Sequence, residues 1–599
     1  MSAEDTKTTK MFYLSMEVIK ILFQYIPGLA VLRMVNSLVS AAASALSFLL
    51  IQYIVDDIQI LLTANGTIAQ VIYHGGAFFT AQFLAVLCGG YVDTVLRMYM
   101  EQSMNEKLAG DILEKFRRIP YADYENPEFK NILQRMSKNP DKVLLRLFDN
   151  IIAVLRQVVT LGGILALFSQ AGIGIAISFM VLFWPIVWLN FKTADKMNAI
   201  YNEQSMEQRK MEYLEQLLTE REPLLEQKIF ESASYLEEKW KRLCRILLKQ
   251  RIAGKVHAHY YYLVGNILTF LWLAAILFFL CVSVLKGGIS LGVFVAVLAG
   301  TGETLDVSES LYMTLQQMRW QINTVFYYLE FMQLAEKKKE GDKKKKSAVL
   351  TQIRFENVSF AYPGCKTDVL HDVSFTINKG EHIALVGENG AGKSTIIKLL
   401  CRLYEPSSGR ILINGNELHT YSECELRKFV AVVFQDYNRF QLSVRENIAA
   451  GALERLHEDA DIRKALDMAG ILHGEQLGRS LGKLDEEGIE LSMGQWQRIA
   501  IARAYFMDSQ FVVLDEPTAA MDPVAENEVY YNISKTMKDR SCLFISHRMA
   551  GVKMADRIFV LSHGTIAEKG SHEELMRRKG IYANMYRMQS EWYQSDSGC

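Results

Sequence analysis

The sequence predicts two folds in one chain: an α-helical membrane domain of six spans, followed by an α/β domain of the P-loop NTPase type. Long uncharged stretches fill the first half, and a strand-loop-helix phosphate motif opens the second. Mean hydropathy is +0.06, the average expected of a lipid-embedded part and a soluble part. At 599 residues, 50% hydrophobic and 22% charged, the chain is neither disordered, collagen-like nor a small disulfide scaffold. Its 66 Lys and Arg balance 67 Asp and Glu, so there is no basic excess for phosphate backbones and no nucleic-acid partner is expected.

The spans come first. From Gly28 to Val55 the only charge is Arg33, and from Gly66 to Val92 there is no Asp, Glu, Lys or Arg. Each stretch exceeds the roughly 20 apolar residues that cross a bilayer. Gln157–Phe191 is equally uncharged but too long for one span, and Ser169–Gly172 supplies a turn, giving a hairpin. His257–Leu285 and the stretch from Ile289 follow. The predicted spans are 28–55, 66–96, 147–168, 173–194, 257–285 and 289–312, within a membrane domain over 1–335. The turns at 56–57, 169–172 and 286–288 carry one Lys between them, whereas the long connections are rich in Lys and Arg. The long connections and both termini are therefore expected in the cytoplasm, with the spans in the cell membrane. The first 25 residues lack a signal-peptide pattern and carry Lys7, Lys10 and Lys20. No peptidase domain is read there, so this chain is not expected to remove a peptide leader. The connection Lys192–Lys255 has a helical pattern, Tyr213, Leu214, Leu217, Leu218, Leu224 and Leu225 among charges. Two helices of about 30 residues, each about 45 Å long, are expected there, and a similar extension around Pro120 and Pro127.

A linker over 336–350 contains seven lysines and is expected to be solvated, with an added attraction to anionic membrane lipids. The eight cysteines are scattered without metal-ligand spacing and read as free thiols.

The chemistry lies in 351–599. Ile383–Val386 is a buried-strand run, followed by Gly387-Glu388-Asn389-Gly390-Ala391-Gly392-Lys393-Ser394-Thr395 and an apolar helix. Glycines let backbone amides turn onto phosphate oxygens, Lys393 neutralises terminal phosphates, and the Ser394 hydroxyl suits magnesium. ATP and Mg2+ are the expected cofactors. Phe511–Leu514 is a second apolar strand ending in Asp515 and Glu516, the first suited to hold magnesium and the second to polarise the attacking water.

With Leu491-Ser492-Met493-Gly494-Gln495 preceding that strand, residues 351–585 resemble the nucleotide-binding domain of an ATP-binding-cassette (ABC) transporter. Residues 1–335 resemble the membrane domain of its exporter branch. The resemblance implies that Tyr362 stacks on adenine, that Gln435 meets magnesium and senses the membrane domain, that Asp522 communicates across a dimer, and that His547 contacts the γ-phosphate. It adds Ser492, Gly494 and Gln495 as nucleotide contacts from the opposite chain. A second half-transporter is thus the implied partner, and coupling falls to Tyr121–Pro127 and Pro223–Ile229. The implied activity is ATP hydrolysis driving export by alternating access. Trp496-Gln497 and Phe434–Phe440 are similar to bacterial exporters of lantibiotic-type peptides. A lipid or multidrug exporter shares the same machinery, as does a protein gated by ATP without net transport, against which Glu516 and His547 argue.

The third signature residue is usually Gly, and here it is Met493. A left-handed backbone at that point would cost on the order of 1 kcal/mol with a side chain present. Two readings follow: a tolerated variant in a homodimer, or one member of a heterodimer with a weakened site. In the sixth span, Glu303, Asp306 and Glu309 share one helix face. Either they pair with Arg or Lys of neighbouring helices, or Glu303 and Asp306 form a substrate patch for cationic cargo such as a peptide. Asp93 and Arg97, four residues apart, are expected to pair with each other.

Overall fold

The computed structural model describes residues 3–63, 66–136, 139–181, 184–185, 188–189, 192–193, 205–334, 349–365, 367–471, 476–518, 521, 526, 529–532, 540–546 and 549–595. The chain divides into two compact units, one of residues 1–119 with 130–336 and one of residues 120–129 with 337–599.

The first unit is helical. Among the described residues five helices are long and apolar enough to cross a membrane: Pro27–Leu62, Ile68–Arg118, Pro140–Ala171, Ala233–Leu285 and Leu291–Gln333. Of the fourth predicted span, 173–181 is helical and much of the remainder lies outside the described residues. Pro27 and Pro140 open their helices, where a missing amide donor costs nothing. Gly172 ends Pro140–Ala171 with φ +142°, a conformation closed to other residues. Asp56 fixes the start of Leu291–Gln333: its Oδ1 accepts from the Gly292 amide at 2.8 Å and its Oδ2 from the Ser290 hydroxyl at 2.9 Å. That approach requires glycine, since a Cβ at Gly292 would lie 2.3 Å from the Gln52 carbonyl.

The helical extensions beyond the spans differ in detail from expectation. The helices after the fourth span are Ser205–Thr219 and the nine-residue Arg221–Ile229. The next runs unbroken from Ala233 through the fifth span to Leu285, 53 residues and about 80 Å at 1.5 Å per residue. The N-terminal segment, read only as cytoplasmic, is a helix over Ala3–Tyr25 with Leu14, Val18 and Leu22 buried at a spacing of four.

Arg33 is 4% exposed inside this unit. Its guanidinium donates to both Asp93 oxygens, at 2.9 and 3.2 Å, and to Asp149. Asp93 therefore does not pair with Arg97, which faces Glu101 at 3.2 Å and Asp149 at 3.4 Å. The expected pairing assumed an isolated helix, whereas the stronger partner lies sixty residues upstream. Asp93 also follows a π-helical turn, Leu87–Val92, which shifts the helix phase. Asn36 and Ser40 support that turn from the Arg33 face of their helix, donating to the Cys88 carbonyl at 2.8 Å and the Ala85 carbonyl at 3.0 Å.

The second unit contains two sheets. The strands β1 (Gln352–Phe360), β2 (Leu370–Asn378), β4 (Ser408–Ile413) and β5 (Asn416–Glu417) form an antiparallel sheet in the order β2-β1-β4-β5. The other runs β10-β9-β3-β8-β7-β6, with β3 (His382–Gly387), β6 (Val430–Val433), β7 (Phe511–Asp515), β8 (Ser541–Ile545), β9 (Arg557–Ser562) and β10 (Thr565–Gly570). Its strands from β9 to β6 are parallel and β10 is antiparallel. β7 and β8 are buried at every position, as their continuous apolar runs require between covered faces. The parallel register carries the carboxyl ends of β3 and β7 to one edge, separated only by β8. Binding sites of open α/β sheets form at such an edge.

Replacing Arg33 with Met leaves Asp93 without its cation and Asp149 with Arg97 alone, at an expected cost of about 3–5 kcal/mol. Thermal unfolding in detergent should show a clear loss for Arg33→Met and recovery when Asp93→Asn and Asp149→Asn are added. An unchanged Tm in the single variant would count against the network.

Candidate functional site

β3 ends at Gly387, where the chain turns through Gly390 (φ +79°) and Gly392 (φ +102°) into the helix Lys393–Leu400. A Cβ at Gly392 would lie 2.6 Å from the Leu370 side chain, so the loop cannot close around anything larger than glycine there. Lys393 is buried, and its ammonium donates back to the carbonyls of Gly387 at 2.7 Å and Glu388 at 2.8 Å. Burial lowers its pKa, opposed by Glu516 and Asp515. Ser394 opens the same helix and donates its hydroxyl to Asp515 Oδ2 at 3.3 Å.

Asp515 is the last residue of β7 and is 5% exposed. Burial and then the adjacent Glu516 push its carboxyl up to about 6, with Ser394 and Lys393 opposing. Glu516 follows in a left-handed conformation, φ +49°, a strain of about 1–3 kcal/mol that persists only where the surroundings hold it. Two bonds hold it here. The Glu516 amide donates to the Ile545 carbonyl at 2.9 Å, and Gln497 donates to the Glu516 carbonyl at 3.0 Å. Gln435 then donates to Glu516 Oε2 at 3.2 Å. The structure thus brings together Lys393, Ser394, Gln435, Asp515 and Glu516, which are separated by up to 123 positions in sequence.

Tyr362 follows β1, and its hydroxyl lies 3.0 Å from the Thr395 hydroxyl of the phosphate helix. Glu388, Asn389 and Ala391 complete the loop itself. Asp522 and His547 lie outside the described residues.

Ser492 caps the helix Met493–Phe506: its hydroxyl accepts from the Gln495 amide at 3.3 Å while its own amide donates to Gln495 Oε1 at 2.8 Å. Gly494 lies in the first turn. Among the described residues no hydrogen bond joins 492–495 to the loop 387–395. Met493 is the first helical residue and is absent from the left-handed positions, so the expected backbone cost does not arise. Its carbonyl accepts from the Tyr437 hydroxyl at 3.0 Å and its sulfur from Arg439 at 2.7 Å. Gln497, Tyr437 and Arg439 were not legible as site residues. Their partners are backbone groups and a thioether, which leave no spacing signal.

The donor chemistry fits a nucleotide with a hard divalent cation. Glycines free a backbone cradle, a lysine faces it, and the cation's share is a hydroxyl, an amide oxygen and a carboxylate.

In the membrane unit Glu303 is half-buried while Asp306 and Glu309 are exposed. Among the described residues no Lys or Arg forms an ion pair with any of them, although the charge of Arg156 on Pro140–Ala171 is felt at Glu303.

A family model described as ABC transporter matches residues 370–519. The subtilin transport ATP-binding protein SpaT of Bacillus subtilis is 31% identical over 495 residues, 80% of this chain and 79% of that protein. The chain belongs to the ABC transporter family. An ATP-dependent lipid A-core flippase of Alcanivorax borkumensis is 28% identical over 542 residues, 89% of each chain. A solved structure of a bacterial Atm1-family ABC exporter with ATP bound matches at a TM-score of 0.76, 22% identity, 95% of this chain and 99% of that one. This ABC exporter is therefore a membrane protein that binds and hydrolyses ATP.

At pH 7.5 without nucleotide or magnesium, ionised Asp515 costs stability, because its folded pKa lies above its ordinary value of 3.8. The cost sets in as pH rises from about 4 to about 6. Asp515→Asn should remove it, stabilising the apo protein by about 2–3 kcal/mol at pH 7.5 while abolishing ATPase activity. Unfolding measured at pH 4 and pH 7.5 should show the gain at the higher pH alone.

Proposed function

We propose that this ABC exporter moves a cationic, lantibiotic-type peptide outward across the cell membrane, as a homodimer, by ATP-driven alternating access. The observation that carries the cargo is the acidic face of Leu291–Gln333, which forms no ion pair among the described residues. A carboxylate in contact with lipid costs about 2.5–3.5 kcal/mol. Among the described residues none of Glu303, Asp306 and Glu309 forms an ion pair, and only Glu303 feels a cation, Arg156 of Pro140–Ala171, so their face suits a polar cavity between two half-transporters, where Glu303 and Asp306 would meet cargo. The relative whose printed name assigns subtilin transport supports a peptide over the lipid reading that the flippase relative keeps open. Met493 in an ordinary helical start removes the steric reason for a weakened site, which favours two identical chains.

In this reading residues 1–335 form the membrane domain, 336–350 a linker and 351–599 the cassette, with both termini cytoplasmic. The linker falls almost wholly outside the described residues. Gly387–Thr395 cradles the phosphates, Tyr362 stacks on the base, and Ser492, Gly494 and Gln495 of the opposite chain complete the site, where Asp522 links the two chains. Ser394, Gln435 and Asp515 would hold magnesium, which supplies charge neutralisation on the phosphates. Glu516 accepts a proton from the attacking water, positioned by its strained backbone, and His547 stabilises the γ-phosphate. The short helices Tyr121–Glu125 and Arg221–Ile229 carry coupling; Leu225, Ile229 and Phe230 stand exposed for a partner's cassette.

The chain purified alone and reconstituted should hydrolyse ATP. Glu516→Gln should reduce turnover by about 10²–10⁴-fold while ATP still binds. A lysine-rich lanthionine peptide should stimulate the ATPase, and Glu303→Gln with Asp306→Asn should remove that stimulation without changing the basal rate. Stimulation by neutral lipids or dyes alone would replace the peptide reading. A chain inactive until a second half-transporter is added would replace the homodimer.

A further inference from the structure

Lys398 stands one and a half turns beyond Lys393 on the phosphate helix, and nothing in the hydrolytic machinery requires it. Its ammonium lies over the Tyr362 ring at 5.1 Å and over the Tyr404 ring at 5.7 Å, and it faces the Glu125 carboxylate at 4.0 Å. Glu125 ends the short helix Tyr121–Glu125, which belongs to the same compact unit as the cassette. Tyr404 is 4% exposed and links both sides: its ring meets Tyr121 edge-on at 5.8 Å and Tyr362 edge-on at 5.3 Å. Ala122 packs against the cassette core beside them. Two side chains, Lys398 and Tyr404, thus separate residues 121–125 from the aromatic that would stack on the nucleotide base.

We propose that residues 120–129 read the presence of the nucleotide base through Lys398 and Tyr404, independently of the γ-phosphate. The inference rests on Tyr362 being the base-stacking residue. A cation shared between a carboxylate and a ring face is drawn toward whichever is made more favourable. Stacking a purine on Tyr362 fixes that ring and alters its hold on Lys398, which changes the ammonium available to Glu125. By reciprocity, the state of 120–129 changes base affinity by the same factor. ATP and ADP carry the same base, so this readout reports occupancy of the site. The Gln435–Glu516 contact lies at the phosphate end, 3.2 Å long, and can report hydrolysis separately. The segment 120–129 would then be released by departure of ADP and not by cleavage of the phosphate.

Hydrogen exchange of amides 120–129, measured on the full chain in nanodiscs, tests this. ATP and ADP at saturation should each slow exchange by about fivefold or more. Inorganic tripolyphosphate, which offers phosphates without a base, should not. Lys398→Met and Glu125→Gln should each abolish the ADP effect, with ADP binding confirmed by calorimetry and basal ATPase retained. Protection by ADP that survives in both variants, or equal protection by tripolyphosphate, overturns the proposal. Tyr362→Ala separates the premise from the relay. Unchanged ADP affinity in that variant removes base stacking and the proposal with it, whereas weakened affinity with an unresponsive 120–129 in the parent overturns the relay alone.

Discussion

Two adjacent carboxylates at the end of one buried strand, Asp515 and Glu516, set the terms for the cassette. Burial first, and then the like charge of Glu516, raise the pKa of Asp515. Lys393, whose charge is felt there, spends its hydrogen bonds on backbone carbonyls of the loop. The site is therefore held with an excess of negative charge and with an ammonium poised on a cradle of glycines. Parallel strands β3, β8 and β7 bring these groups to one edge, and the hydrogen bonds from Glu516 and Gln497 keep the strained turn in place. A divalent cation would relieve that excess of negative charge, and a phosphate would engage the ammonium and the backbone amides of the loop.

The membrane unit solves the same problem in two ways. Around Arg33 opposite charges meet within one chain, where Arg33 and Arg97 together face the carboxylates of Asp93 and Asp149. A π turn buttressed by Asn36 and Ser40 precedes one of those carboxylates and sets its phase. On Leu291–Gln333 three carboxylates share one face and, among the described residues, form no ion pair, with Arg156 acting on Glu303 alone.

Much of this was legible because the chemistry is local. Gly387–Thr395 and Asp515–Glu516 each sit in a strand-and-turn context readable over ten residues, and the long uncharged runs mark spans by length alone. What was not legible depends on distance or on backbone. Asp93 and Arg97 satisfy the i,i+4 rule, yet Arg33 overrides it from another helix. The π turn and the left-handed Glu516 have no residue signature, and the cost imagined for Met493 vanished because Ser492 starts a helix one residue earlier. The extended helix before Leu285 hid its junction, since a cytoplasmic amphipathic pattern and an apolar span join without a breaker.

The central claim is that ATP hydrolysis by this chain alone drives outward movement of cargo. Its most direct measurement uses sealed proteoliposomes containing only this protein, cassettes facing out, with a fluorescent lysine-rich lanthionine peptide and ATP added outside. The account expects peptide to accumulate in the lumen with ATP and not with a non-hydrolysable analogue. Steady ATP hydrolysis with no lumenal accumulation of peptide would contradict it.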